Sequence, residues 1–490
     1  MKLKWTMAIV ATSVLLTACN QAQTEKENTN SKETHSMMHT KQNGAMDHEQ
    51  KKLQNNTGEN TLTFPAVLQP DAKKGNHVTY TITAQTGKSE LFKGHQTETF
   101  GYNGSLLGQT LRLEEGQDVT IHLKNKLKEA TTFHWHGLEV SGDADGGPHK
   151  LIEAGGEQTI HFKVTQQAAT LWYHPHPMGN TAQQVYKGLA GLLYIDDMKS
   201  KALDIPKTYG EDDFPIILQD RTFTKDQQLV YKDVANIDGT YGDTMMINGV
   251  VNAALHTDKK LVRLRILNGS NARNYHVHFD QNIAFTQIAT DGGFLETPKK
   301  MSDLLLGAGE RAEILVDFSK VKGNSLNLVD QDGTVLMPIQ LSKNVVTSSA
   351  TTKLNTINTD EKLYEQEASK VVKMEGMGEN VTINGQKFDE NRIDFTQKQG
   401  ATEVWEIENA ITDEGGMIHP FHIHGTQFQV LSINGEKPEA SLQGYKDTIT
   451  LQPGQKAKIA VTFPYKGTYM FHCHILEHED NGMMGQIQVK

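Results

Sequence analysis

Phe471-His472-Cys473-His474-Ile475-Leu476-Glu477-His478 is the stretch on which the reading of this chain turns, because it sets a thiol between two imidazoles. The 490 residues hold one other cysteine, Cys19, at the end of an apolar leader. A lone thiol in an exported product is open to oxidation, so its place among histidines points to a use as a metal ligand. A Cys thiolate, two His and a long, weak axial Met form the blue-copper electron-transfer set. Cys473, His478 and Met483 supply three of its members from one segment. If that segment is a strand, residues two apart share a face and neighbours oppose one another. His472 and His474 then look one way and Cys473 the other. One strand reaches two metal sites with only backbone and Cβ atoms between them.

Three further clusters repeat the His-x-His spacing: His134-Trp135-His136-Gly137, Trp172-Tyr173-His174-Pro175-His176 and His419-Pro420-Phe421-His422-Ile423-His424-Gly425. Each pair offers two imidazoles to one cavity if its segment is extended. Four pairs give eight imidazoles, more than one ion binds. A single His-x-His in a chain with 21 histidines is weak evidence. His-Cys-His with His at +5 and Met at +10 is far more specific. His276 and His278 also form such a pair, but nothing in the sequence joins them to it, and they read as surface or core residues.

Strand-like alternation with Gly and Asn turns recurs, and amphipathic helices are few apart from a short stretch near Glu361–Lys370, so the class is all-β. Three Greek-key β-sandwich units are expected, over residues 61–205, 206–346 and 347–490. Similar glycine-containing loops precede strands in each: Glu115-Gly116-Gln117-Asp118-Val119, Gly309-Glu310-Arg311-Ala312-Glu313-Ile314 and Pro453-Gly454-Gln455-Lys456-Ala457. The formal charge of −11 argues against a nucleic-acid footprint.

Residues 1–18 carry a charged start, an apolar run and a small-residue end, which is a secretory signal too short to span a bilayer. Leu16-Thr17-Ala18-Cys19 resembles a bacterial lipobox with Cys19 as the lipidated residue; the plainer alternative is an ordinary signal peptide containing a cysteine. A lipid-anchored, extracytoplasmic cell-envelope protein is the expectation. Residues 19–60 are polar and expected to form a disordered tether. His35, Met37, Met38, His39, Met46 and His48 cluster within it, either to capture copper or by compositional drift.

At the four histidine clusters the chain resembles the multicopper oxidases, the family of laccases, ascorbate oxidase and bacterial cuprous oxidases. The likeness covers about residues 62–490. It implies three cupredoxin domains, the second without copper, and four copper ions. Type 1 copper would take His419, Cys473 and His478, with Met483 axial. Type 2 copper would take His134 and His422. The type 3 pair would take His136, His174 and His474 on one ion and His176, His424 and His472 on the other. Four stored reducing equivalents match the four electrons that turn O2 into two waters. Asp145 and Glu479 stand where the family has proton-carrying acids; otherwise they are a loop former and a solvated carboxylate.

The resemblance implies O2 and a small reductant as reaction partners, and a monomer is expected. Gly385-Gln386-x-Phe388-Asp389, Gly425-Thr426-Gln427-Phe428, Lys446-Asp447-Thr448 and His478-Glu479-Asp480-x-Gly482-Met483-Met484 are most similar to cuprous oxidases. These accept Cu(I) at a Met/acid site. Met417 matches one such methionine, and Met374 and Met377 lie where some relatives carry a Met-rich insertion. The family's acid is replaced by Gly415, with Asp413 just upstream. A laccase-like oxidase of phenols or aromatic amines is the alternative.

Overall fold

The computed structural model describes residues 51–490 apart from 232–234, 237, 347–352 and 414. The leader, Cys19 and the His/Met cluster of the tail lie outside the described residues.

Period-two burial builds three two-sheet sandwiches. In the first, strand His77–Phe92 turns Val78, Tyr80, Ile82 and Ala84 inward. It lies between His95–Tyr102 and Asp118–Asn125 in one sheet. The opposing sheet runs Leu111–Glu114, Gly191–Asp196, Ala169–His174, His134–His136, and Leu111, Trp135 and Leu171 meet the first sheet in a shared core. The second sandwich pairs a seven-stranded sheet with a six-stranded one. Strand Asp213–Arg221 is buried at all nine positions, as expected of a strand covered on both faces. The third joins a six-stranded sheet to a five-stranded one that contains His419–Ile423 and Gly467–Cys473.

All three share one wiring. An opening strand pairs in parallel with a later one: His77–Phe92 with Asp118–Asn125, Asp213–Arg221 with Leu261–Asn268, Lys370–Glu375 with Thr402–Asn409. That later strand takes an antiparallel partner, respectively Glu157–Lys163, Arg311–Asp317 and Lys456–Thr462. The counterpart of Gly309 and Gly454 in the first sandwich is therefore Gly155, not the Gly116 expected from sequence. Gly155 and Gly116 both adopt positive φ, 78° and 88°. Each suits a left-handed turn, so composition alone could not choose between them.

Two other expectations change. The polar segment up to residue 60 is not free throughout: Leu53 is buried in the second core, and the Asn56 amide donates to the carbonyls of Ala253 and Leu336. Asn60–Thr61 then pairs in parallel with Ala253–Ala254, so the chain ahead of the first sandwich adds an edge strand to the second. A single leucine and a satisfied asparagine are enough to dock a segment whose average composition is polar. The stretch near Glu361–Lys370 forms only one helical turn, Lys362–Glu365, followed by strand Lys370–Glu375.

Candidate metal centre

Strand pairing brings the four histidine clusters together two by two. In the first sandwich His134 lies opposite His174 and His136 opposite Trp172. In the third His422 lies opposite His472, and Phe421 opposite Cys473. His422 and His472 thus share a face, and Cys473 points with Phe421 into the opposite core. His419 is an odd number of residues from His422, so it falls on the cysteine side. One pair of strands serves two sites.

On the histidine side, eight buried imidazoles from two sandwiches converge. His134 stacks on His424 and His136 on His422, each with ring centroids 3.7 Å apart. Nε2 of His472 lies 3.1 Å from Nε2 of both His176 and His424. The other nitrogens say which lone pairs are free. His472 Nδ1 donates to the Cys473 carbonyl, and His424 Nδ1 to Asp145 Oδ2 at 2.8 Å. Their Nε2 atoms therefore face each other as acceptors, a repulsive contact unless a cation sits between. His134 Nδ1 donates to the Asp145 carbonyl and His422 Nδ1 to that of Asp447, leaving both Nε2 atoms buried without a partner. His136 is turned the other way, with Nε2 on Asp447 and Nδ1 3.4 Å from His174 Nε2. His474 stands 4.9 Å ring to ring from His136, with neither nitrogen partnered. Burial keeps the rings of His422, His424 and His472 neutral, the last pushed down to about 3. The donor set fits metal ions.

On the cysteine side, His419, Cys473 and His478 gather with ligand atoms within 4.8 Å of one another. Cys473 Sγ lies 3.8 Å from His478 Nδ1 and accepts from the Ile475 N–H at 3.4 Å. Burial pushes the thiol up, so without a cation it would stay protonated; a coordinating metal reverses this. Met483 is buried in the same core, and the Cys473 N–H donates to its carbonyl. His419 Nδ1 is held by Asn409 Oδ1 at 3.0 Å, while Nε2 has no partner. Sequence reading missed Asn409, since nothing local marks it. Asn409→Ala is expected to loosen metal at this trio about 10–100-fold, read as faster loss to a competing chelator. Unchanged retention would remove Asn409 from the account.

The helix Leu476–Asp480 joins the two sites to the rest of the molecule. Successive helical residues point about 100° apart, so four neighbours can meet four partners. Glu477 Oε1 accepts from Thr240 Oγ1 and Asn271 of the second sandwich at 2.6 and 3.0 Å. His478 faces the thiol. Glu479 lies 3.4 Å from Nδ1 of both His176 and His472. Asp480 accepts the Thr181 and Ala182 N–H groups at the start of helix Thr181–Tyr186 in the first sandwich. Burial, then the neighbouring Asp480, pushes the Glu479 carboxyl well up. Asp145 has one oxygen on His424 and the other unpartnered, and it lines a cleft of about 250 Å3 with Gly142, Lys150 and Thr468.

Beneath the histidines lies an ion pair that sequence reading left unassigned. Arg311 of the second sandwich grips both oxygens of Asp447, which also accepts from His136 and Gln427. Burial works against its charge, but Asp447 and Asp291 outweigh it and hold the guanidinium up.

The residues expected at a substrate copper do not all share one accessible place. Met374 is fully buried, with Val372, on the inward face of its strand, so it can meet no ion from solvent. Met377 and Met417 are half-buried and Asp413 is exposed. Met417 packs against the core that holds Cys473 and Met483.

A three-sandwich β protein that buries a Cys/His2 set beside eight facing imidazoles is built as a copper redox protein. Residues 77–200, 212–343 and 351–490 each match the multicopper oxidase family. "Multicopper oxidase mco" of Staphylococcus haemolyticus is 53% identical over 441 residues, 90% of this chain and 95% of that protein. The laccase of Pediococcus acidilactici Pa5930 superposes with a TM-score of 0.85 at 41% identity, over 90% of this chain and 96% of its own. A Campylobacter jejuni multicopper oxidase described as a metallo-oxidase gives 0.77 at 30% identity, over 90% and 98%. The chain belongs to the multicopper oxidases. It is an oxidase, and its cofactors are copper ions.

Proposed function

We propose that this chain couples one-electron oxidation of Cu(I) to Cu(II) to the four-electron reduction of O2 to water, in copper tolerance. The observation that carries the electron path is the opposed pair of faces at His472-Cys473, with the thiol on one side and the facing imidazoles on the other. His419, Cys473, His478 and axial Met483 would hold type 1 copper. His134 and His422 would hold type 2. His136, His174 and His474, with His176, His424 and His472, would hold the type 3 pair. Four bound coppers would supply the one-electron steps and store four reducing equivalents.

The residues themselves do the rest. Ring nitrogens fixed by Asn409, Asp145 and Asp447 aim their partners inward. Buried walls exclude water from the thiol. Asp145 and Glu479 stand in this reading as the acids beside the cluster, the first also on the wall of a cleft.

Cu(I) is preferred over a phenol because Met417, a soft ligand, lies half-buried against the cysteine-side core with Asp413 exposed on the same loop. The Campylobacter metallo-oxidase supports this reading; the Pediococcus laccase supports oxidation of phenols or aromatic amines instead. Oxygen uptake with each substrate separates them. Met417→Ala is expected to lower Cu(I) turnover about tenfold or more and leave a bulky phenol within about twofold. Equal loss on both substrates would overturn the Cu(I) assignment.

A further inference from the structure

The second sandwich contributes none of the eight facing imidazoles, yet one end of it reaches three of them. Strands Leu261–Asn268 and Arg311–Asp317 run antiparallel, with Leu267 paired to Arg311. Three contacts leave from this pair and the turn beside it. Arg311 grips Asp447, whose Oδ1 lies 2.9 Å from His136 Nε2. Leu267 shares a core with Trp172, and that indole stacks on His174 with ring centroids 4.2 Å apart. Gly309, just before Arg311, lies against the ring of His474. The set formed by His176, His424 and His472 is aimed instead by Glu479, Asp145 and the Cys473 carbonyl, in the first and third sandwiches.

His136 and His174 are also fixed through a ring nitrogen, by Asp447 and by the Pro175 carbonyl at 2.9 Å. His474 has no such anchor, since neither of its ring nitrogens has a hydrogen-bond partner. Its orientation therefore depends on what packs against it. Gly309 is held firmly for that role. Its N–H donates to the Asn268 carbonyl at 2.9 Å, and its carbonyl accepts from Arg311 at 3.0 Å. A Cβ on Gly309 would stand 2.9 Å from both Cγ and Nδ1 of His474. Non-bonded carbons settle at about 3.5–4.0 Å, so the ring would retreat by about 0.5 Å or more, the most that a metal site tolerates. The turn accounts only for the positive φ of 86°. Gly155 and Gly454 share that conformation, yet a Cβ on Gly155 meets nothing within 4 Å and one on Gly454 meets only Ile411.

We propose that this end of the second sandwich positions His136, His174 and His474, with Gly309 setting the His474 ring by direct contact. The inference rests on reading those three imidazoles as one type 3 ligand set. A change in the second sandwich then disturbs the ligands of one ion of the pair and leaves those of the other in place.

The full-length, copper-loaded chain is assayed for total copper and for the share visible by electron paramagnetic resonance, because two Cu(II) ions close enough to couple their spins are silent together. Gly309→Ala is expected to raise the visible share and to release copper to a competing chelator about tenfold faster than the parent. Gly155→Ala adds the same left-handed strain without the contact and should match the parent in both readings. Leu267→Ala removes the packing behind Trp172 without backbone strain and should also raise the visible share, while the volume-matched Leu267→Met restores it. That second comparison decides the outcome should Gly309→Ala fail to fold. Visible absorption should be parental throughout, since Cys473 lies on the opposite face. If Gly309→Ala and Leu267→Ala both match Gly155→Ala, the positioning role is overturned and the ligand assignment stands. An effect in only one of them overturns the contact made through the other. A parent whose copper is all visible would overturn the type 3 assignment, and the positioning role with it.

Discussion

Cys473→Ser is expected to remove the visible absorption of the copper-loaded protein and to lower oxygen consumption at least about 10³-fold with any reductant. Serine is close to cysteine in size, and the position is fully buried, so the strand should survive the change. What goes is the polarisable sulfur that would couple the two sites. The eight imidazoles should keep their metal, because His472 Nδ1 is aimed by the carbonyl of residue 473, which the substitution leaves in place. Metal analysis beside absorption and oxygen uptake separates these effects. A serine variant that stayed coloured, or consumed oxygen within tenfold of the parent, would defeat the assigned electron path.

The largest stability effect is expected at Arg311. Its side chain is fully buried and touches all three sandwiches: the Thr170 carbonyl in the first, the Gly309 carbonyl in its own, and Asp447 in the third. Arg311→Met would leave Asp447 charged and uncompensated in the interior, which costs about 3–5 kcal/mol. A lowered melting temperature of the copper-free chain should report it. Pairing that change with Asp447→Leu removes both charges and should recover part of the loss, since apolar groups can replace a buried pair with little penalty. The double variant should still lose copper readily, because His136 Nε2 no longer has its carboxylate anchor. A single variant melting within about 1 °C of the parent would mean that the pair contributes nothing to stability.

Most of the side chains gathered at the candidate metal centre were readable from the chain because their signals are local. Spacing of two along a strand assigns faces, and the types Cys, His and Met name the metal. Residues whose importance comes from a distant partner were not readable in that way. Asn409 is one of many asparagines until His419 lies 3.0 Å away. Met374 fits a Met-rich loop on paper, yet its strand turns it into the core. His276 had no visible companion until Asp303, on a neighbouring strand, came within 2.9 Å of its Nε2.

The amino-acid order was enough to give the all-β class, the two faces of His472-Cys473-His474 and the eight imidazoles. Only the folded chain could bring Arg311 to Asp447, lay Asn60–Thr61 beside the second sandwich rather than the first, and point four successive side chains of Leu476–Asp480 at four different partners. The reason is physical. Strand period and ligand chemistry act between neighbours, whereas burying a charge demands a counter-charge that any part of the sequence can supply.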